Sequence, residues 1–290
     1  MKPIEIVNYS DPACVWCWGT EPIFRALETH YPNLFSIRYV MGGMVRDLSD
    51  FNDEENGIGG GNPETINSQL RIHLKDSTDV HHMPVDVDKY HLFSERVTSS
   101  FPQNIAYKAA QIADPERADA FLRRIREATM TEGAVTGDYS VLDRLAEDFG
   151  LPIEAYREAL ECGQAESTFK RDVDEAIAAK VQVFPTVTLS VYGKEETFGG
   201  YYTFADYVAR IRKLSGGTIE PVKPDVSFES LNRLLRKYHL LATEEIRAAF
   251  DFETKDDLES WLAPYISDGT LTKEQRGSDY MIALASRKFR

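Results

Sequence analysis

The first forty residues show two kinds of hydrophobic pattern. Residues 4–9 and 34–41 alternate apolar and polar positions, which is typical of half-buried strands. Between them, Ile23, Phe24 and Leu27 recur at the spacing of one helix face. The order strand, helix, strand predicts a βαβ unit with parallel strands and a right-handed crossover.

Helical periodicity dominates the chain from about residue 64 to residue 180. A polar, glycine-rich stretch at residues 47–63 precedes it. Because no Gly-Lys-Ser/Thr follows these glycines, we interpret the stretch as a mobile loop and not as a phosphate cradle. Apolar spacing, prolines and glycines predict successive helices in this region, among them residues 103–112, 115–131, 140–149, 152–160 and 167–180.

The strand pattern returns at residues 181–191. Pro185 lies near the start of this strand, where a residue without an N–H group is tolerated. A turn at residues 192–194, a return strand at 195–198 and a further helix follow. We therefore predict an α/β fold for residues 1–214, with a βαβ unit, a large helical insertion and a ββα unit.

The last part of the chain follows a proline-containing linker at residues 221–224. Its pattern predicts three helices and then two strands, an order that resembles a winged helix. We therefore expect a small, separate C-terminal unit at residues 225–290.

Candidate chemistry lies between the first strand and the first helix, where the chain has Cys14 and Cys17 in a Cys-x-x-Cys spacing. A helix N-terminus stabilises a thiolate through its unpaired N–H groups and its partial positive charge. We therefore expect Cys14 to be an accessible, acidic nucleophile. Cys17 lies about one turn further on and can close a disulfide with it.

The same spacing also occurs as half of a zinc site. A four-ligand zinc site needs further cysteines or histidines close by, but no histidine lies near the pair and the remaining cysteine is Cys162. We therefore expect a redox pair, no metal and no cofactor.

Composition narrows the choice of partners and of compartment. The chain has 290 residues, a net charge of -14 and a pI of about 4.9, which opposes binding to nucleic acids and anionic membranes. No run approaches the roughly 18 apolar residues of a membrane span. The first strand begins so early that we expect no signal peptide and a cytoplasmic location.

Several other polar residues have ordinary structural interpretations. We expect Cys162 to be a small buried residue without a redox role. We place His81 and His82 in a solvated loop, and Asp11 and Glu21 on the surface near the pair, where either could accept a proton from Cys17.

The arrangement as a whole resembles the DsbA family of thioredoxin-fold proteins, nearest its FrnE-like and SpxH-like branch, over about residues 1–214. The resemblance implies that Pro185 follows a cis bond and faces the cysteines, and that Phe184 presents its backbone to an incoming peptide. The pair Val15–Trp16 lacks the histidine found at that position in the periplasmic oxidant, which implies a less acidic thiol and a less oxidising couple.

This resemblance implies a cytosolic dithiol–disulfide oxidoreductase. Cys14 and Cys17 would react with protein or small-molecule thiols and disulfides, and Phe184, Pro185 and Trp16 would contact the substrate. Whether Trp16 forms a docking surface or part of the core is left open. The alternative is an SpxH-like protease adapter whose cysteines need not turn over. Glutathione-linked isomerase chemistry is disfavoured, because the related kappa-class enzymes lack this cysteine pair.

The C-terminal unit is expected to dock a protein or to pack on the catalytic part. From residue 225 onward there are 12 acidic and 10 basic side chains, and the third predicted helix carries Asp256, Asp257 and Glu259, which phosphates would repel. Both cysteines and Pro185 precede the linker, so removal of the unit is expected to leave the dithiol chemistry measurable.

Overall fold

The computed structural model describes residues 2–285. It begins with strand β1 (Ile4–Ser10), helices α1 (Val15–Gly19) and α2 (Glu21–His30), and strand β2 (Phe35–Met41). β1 and β2 pair in parallel, as predicted for a βαβ unit. The single predicted helix is divided at Thr20, whose hydroxyl donates to the Cys17 carbonyl oxygen at 2.7 Å.

Two later strands complete a four-stranded sheet. Strands β3 (Thr186–Val191) and β4 (Lys194–Gly199) form a hairpin, and β3 pairs antiparallel with β1, which gives the order β2-β1-β3-β4. The helix after the hairpin, Phe204–Ser215, begins with a capping box between Thr203 and Asp206. This is a thioredoxin-like sheet with a large insertion before β3.

The insertion contains six helices. They are α3 (Pro63–His81), α4 (Phe101–Ala113), α5 (Ala118–Thr131), α6 (Tyr139–Phe149), α7 (Ile153–Glu161) and α8 (Gln164–Ala178), so that the helix after β4 is α9 (Phe204–Ser215). Residues 82–100 are neither helix nor strand, yet much of this segment is buried. It is held by Asn67, whose amide donates to the Phe93 carbonyl oxygen at 2.7 Å and accepts from the Phe93 N–H at 3.1 Å.

The glycine-rich stretch before α3 differs from the predicted mobile loop. Asp53 and Ile58 form an antiparallel bridge, and the Ile58 side chain is buried. The Gly59 N–H also donates to the Gln69 side chain at 2.9 Å. Burial of one apolar residue therefore anchors the centre of this segment to α3.

The C-terminal elements have the order of a winged helix. They are α10 (Phe228–Tyr238), β5 (Leu240–Ala242), α11 (Thr243–Ala249), α12 (Lys255–Ser267), β6 (Leu271–Arg276) and β7 (Asp279–Leu284). The three strands form a sheet in the order β5-β7-β6. The short strand β5 was not predicted, and residues 286–290 of the expected unit lie outside the described part of the chain.

This C-terminal unit shares a core with the thioredoxin part. Apolar residues of α10 and α11 belong to the same buried cluster as those of β1, α2 and α5. The turn of the β6–β7 hairpin lies against the insertion so closely that a Cβ atom on Gly277 would be 2.1 Å from the Val85 carbonyl oxygen. The proposed boundary between residues 1–214 and 225–290 stays a prediction about folding units.

Candidate active site

The turn that leads to the cysteines is held by a buried carboxylate. Asp11 accepts hydrogen bonds from the N–H groups of Ala13 at 2.8 Å and Met44 at 2.7 Å, and from the Asn104 amide at 3.0 Å. Asp11 is fully buried, so the prediction of a surface acid was wrong. Burial raises the pKa of this carboxyl, and the three hydrogen bonds oppose the rise.

Cys14 is the N-cap residue of α1. Its sulfur accepts the Cys17 N–H at 3.2 Å, one of the N–H groups that a helix start leaves unpaired. On its other side, the sulfur lies 3.5 Å from the carbonyl oxygen of Phe184. The Phe184–Pro185 peptide bond is cis. The structure thus brings together the cysteine motif and the segment before β3, which are 170 residues apart.

Neither cysteine of the pair is freely exposed. Cys14 has 5% of its surface accessible and Cys17 none. Burial raises the pKa of the Cys14 thiol well above its ordinary value, and its hydrogen bond to Cys17 adds to the rise. The expectation of an accessible, acidic Cys14 therefore does not describe this resting structure.

Cys17 lies in a different electrostatic environment. Burial alone would raise the pKa of its thiol, but the hydrogen bond from Cys14, the Arg126 guanidinium and a hydrogen bond with Ser10 together lower it. Arg126 comes from α5 and donates to the Ser10 hydroxyl at 2.6 Å. The second cysteine, and not the first, therefore faces the buried positive charge.

The guanidinium of Arg126 is held by a second buried acid. It donates to Glu21 at 2.6 Å, and the other oxygen of Glu21 lies 3.5 Å from Arg25. Glu21 is 1% exposed, so its prediction as a surface acid was also wrong. Glu21 thus lies between Arg126 and Arg25, and Arg25 also pairs with Glu28 at 3.2 Å.

The two tryptophans of the motif differ in environment. Trp18 is fully buried and donates its indole N–H to the Pro84 carbonyl oxygen at 3.0 Å. Trp16 is half-buried and lies about 6 Å, ring centre to ring centre, from His73, His81 and Tyr201. Trp18 is therefore part of the core, while Trp16 lies at the rim of the site.

His81 is not in a solvated loop. It is the last residue of α3, is 2% exposed and lies over Gly19 of α1, whereas its neighbour His82 is exposed as expected. Its Nδ1 accepts the Met83 N–H at 3.0 Å. Burial lowers the pKa of His81 to about 4, so the imidazole is neutral near pH 7.

Cys162 also differs from its prediction. It is exposed, at the C-cap of α7, and its sulfur faces the Ala159 carbonyl oxygen at 3.9 Å. Within residues 2–285 no group of three or more histidine, cysteine or acidic side chains could hold a metal ion. No helix in that part of the chain is long and apolar enough to cross a membrane.

A family model described as thioredoxin (Thioredoxin_5) matches residues 8–208. The chain belongs to this thioredoxin family. Among curated proteins it is similar to the ClpXP adapter protein SpxH of Halalkalibacterium halodurans, with 26% identity over 87% of this chain and 79% of that protein. The SpxH of Bacillus subtilis is 22% identical over 88% of this chain and 81% of that protein.

Solved structures show the same fold. The cytosolic disulfide reductase DsbM of Pseudomonas aeruginosa has a TM-score of 0.54 and 21% identity, covering 79% of this chain and 99% of DsbM. A "probable DsbA oxidoreductase" of Streptomyces coelicolor has a TM-score of 0.56 and 17% identity, covering 77% and 94%. The predicted DsbA-like thioredoxin fold is thereby confirmed.

Proposed function

We propose that the chain is a cytosolic thiol–disulfide oxidoreductase in which Cys14 and Cys17 form the reacting pair. The observation that carries this proposal is the position of the Cys14 sulfur, between the Cys17 N–H in the first turn of α1 and the Phe184 carbonyl oxygen. A sulfur held there contacts a helix N-terminus, whose N–H donates to it, and also the backbone that leads into β3, where a substrate peptide would lie. The resemblance to the FrnE-like branch stays a prediction.

The reaction is a two-step exchange. The Cys14 sulfur attacks one sulfur of a substrate disulfide, the substrate S–S bond breaks, and the second substrate sulfur leaves as a thiolate. Cys17 then attacks Cys14, which breaks the mixed disulfide and releases the first substrate sulfur. Two electrons pass from the enzyme dithiol to the substrate, and the reverse sequence oxidises a substrate dithiol.

We further propose that Phe184, Pro185 and Trp16 contact the substrate. Phe184 is a bulky residue for this position, but its ring lies over Gly42, where a Cβ atom would be only 1.9 Å away. The side chain is therefore accommodated against the residue after β2. Trp16 and Tyr201, both half-buried, supply an apolar surface beside the cysteine pair.

The test is reduction of insulin by dithiothreitol in the presence of wild type, Cys14→Ser and Cys17→Ser. We expect catalysis by wild type only, and a mixed disulfide with substrate that accumulates on Cys17→Ser. Cys162→Ser is the matched control, because it removes an exposed thiol elsewhere on the chain. Equal rates for wild type and Cys14→Ser would reject the proposal.

A protease adapter is the second candidate. The observation that favours it is that the curated relatives named as ClpXP adapters match 87% of this chain and not the thioredoxin part alone. An adapter without turnover predicts no insulin reduction by wild type. It also predicts that wild type and Cys14→Ser bind the ClpXP protease equally in a pull-down.

Nucleic acid is not a proposed partner. Between residues 225 and 285, most basic side chains of the C-terminal unit pair with acids, as in the pair Lys255–Asp279 at 2.7 Å and the pair Lys273–Glu259 at 2.8 Å. At the end of β6, Arg276 pairs with Glu132 of the insertion. We propose instead that the unit contributes to recognition of a protein.

A further inference from the structure

The imidazole of His81 carries a hydrogen-bond donor that is left unused in the fold. Its Nδ1 accepts the Met83 N–H at 3.0 Å, so the proton of the neutral ring lies on Nε2. Nε2 is buried and has no hydrogen-bond partner among residues 2–285. Buried polar groups without a partner are rare, because their removal from water costs free energy that no new hydrogen bond returns. This donor therefore calls for a role other than packing.

The same imidazole lies beside the surface next to the cysteine pair. Its Cγ–Cδ2 edge packs on Gly19 of α1, where a Cβ atom would come within 2.6 Å. Its ring centre lies 6.0 Å from that of Trp16 and 6.4 Å from that of Tyr201. Both of these aromatic side chains are half-buried, whereas His81 is 2% exposed. Two partly exposed rings thus separate the unused donor from solvent.

The charges around this surface favour an uncharged hydrogen-bond acceptor over an anion. On the α11 side, Arg247 is already paired with Glu244 at 2.6 Å. On the α3 side, Asp53 and Asp76 lie near His73. The chain as a whole has a net charge of -14, so a carboxylate ligand would be repelled. A peptide carbonyl oxygen, in contrast, accepts a hydrogen bond without bringing a charge.

We propose that His81 is a substrate-binding residue, whose Nε2–H donates to a backbone carbonyl oxygen next to the reactive cysteine of a substrate protein. This inference rests on the proposed function, because it names the part of a substrate that lies beside Cys14 and Cys17. In the free protein, Trp16 and Tyr201 cover the imidazole. An apolar side chain of the bound segment displaces one of these rings and packs on the other, which opens Nε2 to the carbonyl oxygen.

Two substitutions separate the roles of the two ring nitrogens. The side-chain oxygen of asparagine lies near the position of Nδ1, so His81→Asn keeps an acceptor for the Met83 N–H and loses the Nε2 donor. The side-chain nitrogen of glutamine lies near the position of Nε2, so His81→Gln keeps the donor and loses that acceptor. A purely structural role predicts the greater damage for His81→Gln, whereas substrate binding through Nε2 predicts it for His81→Asn.

The experiment measures non-covalent binding of the S-methylated insulin B chain to Cys14→Ser protein, the parent for all variants, in which disulfide exchange cannot start. Isothermal titration calorimetry at pH 7 gives the dissociation constant. We expect His81→Asn to raise it about three- to tenfold, the range for loss of one uncharged hydrogen bond. His81→Gln is expected to stay within about twofold of the parent, because the amide N–H replaces the Nε2–H as donor.

The matched control is His73→Asn, which removes a second imidazole of α3 whose ring centre lies 6.1 Å from that of Trp16. It is expected to leave the dissociation constant unchanged. A second measurement follows the donor directly, by NMR of the His81 Nε2–H group in the isotope-labelled parent. We expect its proton resonance to move downfield as the peptide saturates the protein, because a hydrogen bond forms there. This measurement needs no His81 variant, so it decides if His81→Asn does not fold.

Four results would overturn the inference: no binding of the peptide to the parent, an unchanged affinity in folded His81→Asn, an equal loss in His73→Asn, or an Nε2–H resonance that does not move. Because binding needs no turnover, it stands apart from the insulin assay. Weaker binding by His81→Asn, together with wild type that does not reduce insulin, would reject the proposed function and support this peptide site. Insulin reduction by wild type, together with unchanged binding by His81→Asn, would do the reverse.

Discussion

At the residue scale, the three cysteines differ in what surrounds their sulfur atoms. Cys14 faces a carbonyl oxygen and an N–H, Cys17 faces a buried cation, and Cys162 is exposed at a helix end. Thiol reactivity depends on both thiolate fraction and access. Access therefore differs strongly among the three thiols, since Cys162 is exposed and the other two are buried.

This separation predicts the order of alkylation. At neutral pH in the reduced, native protein, Cys162 is expected to react first with iodoacetamide, and Cys17, with no accessible surface, last. Peptide-resolved mass spectrometry over time measures the order. Cys162→Ser is expected to retain the wild-type rate of insulin reduction, and loss of activity in a folded Cys162→Ser protein would show that a third cysteine takes part.

At the element scale, the contact between α3 and α1 gives the site a pH-sensitive support. Burial lowers the pKa of His81 from 6.5 to about 4. Between these pH values the unfolded chain binds a proton at this imidazole and the folded protein does not. In this window the unfolded state binds more protons, and stability falls as pH falls from about 6.5 towards 4. Relative to neutral pH, the free energy of unfolding at pH 5 is lower by about 2 kcal/mol, because each pH unit between the two pKa values changes it by about 1.4 kcal/mol.

The prediction is tested by urea unfolding at pH 7 and pH 5 with wild type, His81→Asn and His82→Asn. His81→Asn is expected to lose less stability than wild type between the two pH values, because it has no imidazole to protonate. His82 is the matched control, since it is exposed and adopts a left-handed conformation that asparagine tolerates. Identical pH dependence in all three proteins would contradict the role assigned to His81.

Local pattern was sufficient for most regular elements of this fold. The alternation in β1 and β2 and the spacing in α2 follow from the side chains of each segment, so they could be predicted one segment at a time. The cysteine pair was found in the same way, from its place between a strand and a helix. The contact of Cys14 with Phe184 could be predicted only from the family resemblance, because the two residues lie far apart in the sequence.

Long-range contacts account for what was missed. Arg126 reaches Ser10 across 116 positions, and no local pattern shows that an arginine of α5 contacts the end of β1 next to the cysteine motif. A signal was present nonetheless, since Arg123 and Arg126 lie at helical spacing among the apolar residues of α5 and both are buried. The buried segment at residues 82–100 has no hydrophobic periodicity, because it is neither helix nor strand. Side chains such as Asn67 supply hydrogen bonds to its backbone instead.

At the scale of the whole molecule, the C-terminal unit and the thioredoxin part meet through a buried ion pair. Arg123 of α5 donates through Nε to Glu245 of α11 at 2.9 Å and through Nη1 to Glu127 at 2.7 Å. The Arg123 and Glu245 side chains are at most 1% exposed. Arg123 also lies 5.3 Å from the ring of Trp18 in α1. The ion pair between the two parts therefore lies next to the helix that carries Cys17.

This buried ion pair predicts that the two parts unfold together. Replacing Glu245 leaves Arg123 with Glu127, an acid that Arg124 shares, so the buried positive charge is only partly compensated. Loss of one partner of a buried pair costs on the order of 3–5 kcal/mol, whereas an exposed pair contributes about 1 kcal/mol or less. We therefore expect Glu245→Gln to lower the urea midpoint strongly and Glu229→Gln, whose pair with Arg233 is exposed, to change it little. A chain that ends before residue 227 would leave Arg123 without Glu245 and expose the shared core, so we now expect it to lose cooperative unfolding, contrary to the expectation from sequence. Two separate transitions in wild type, with the cysteine-bearing part unaffected by Glu245→Gln, would show that the ion pair does not couple the two parts.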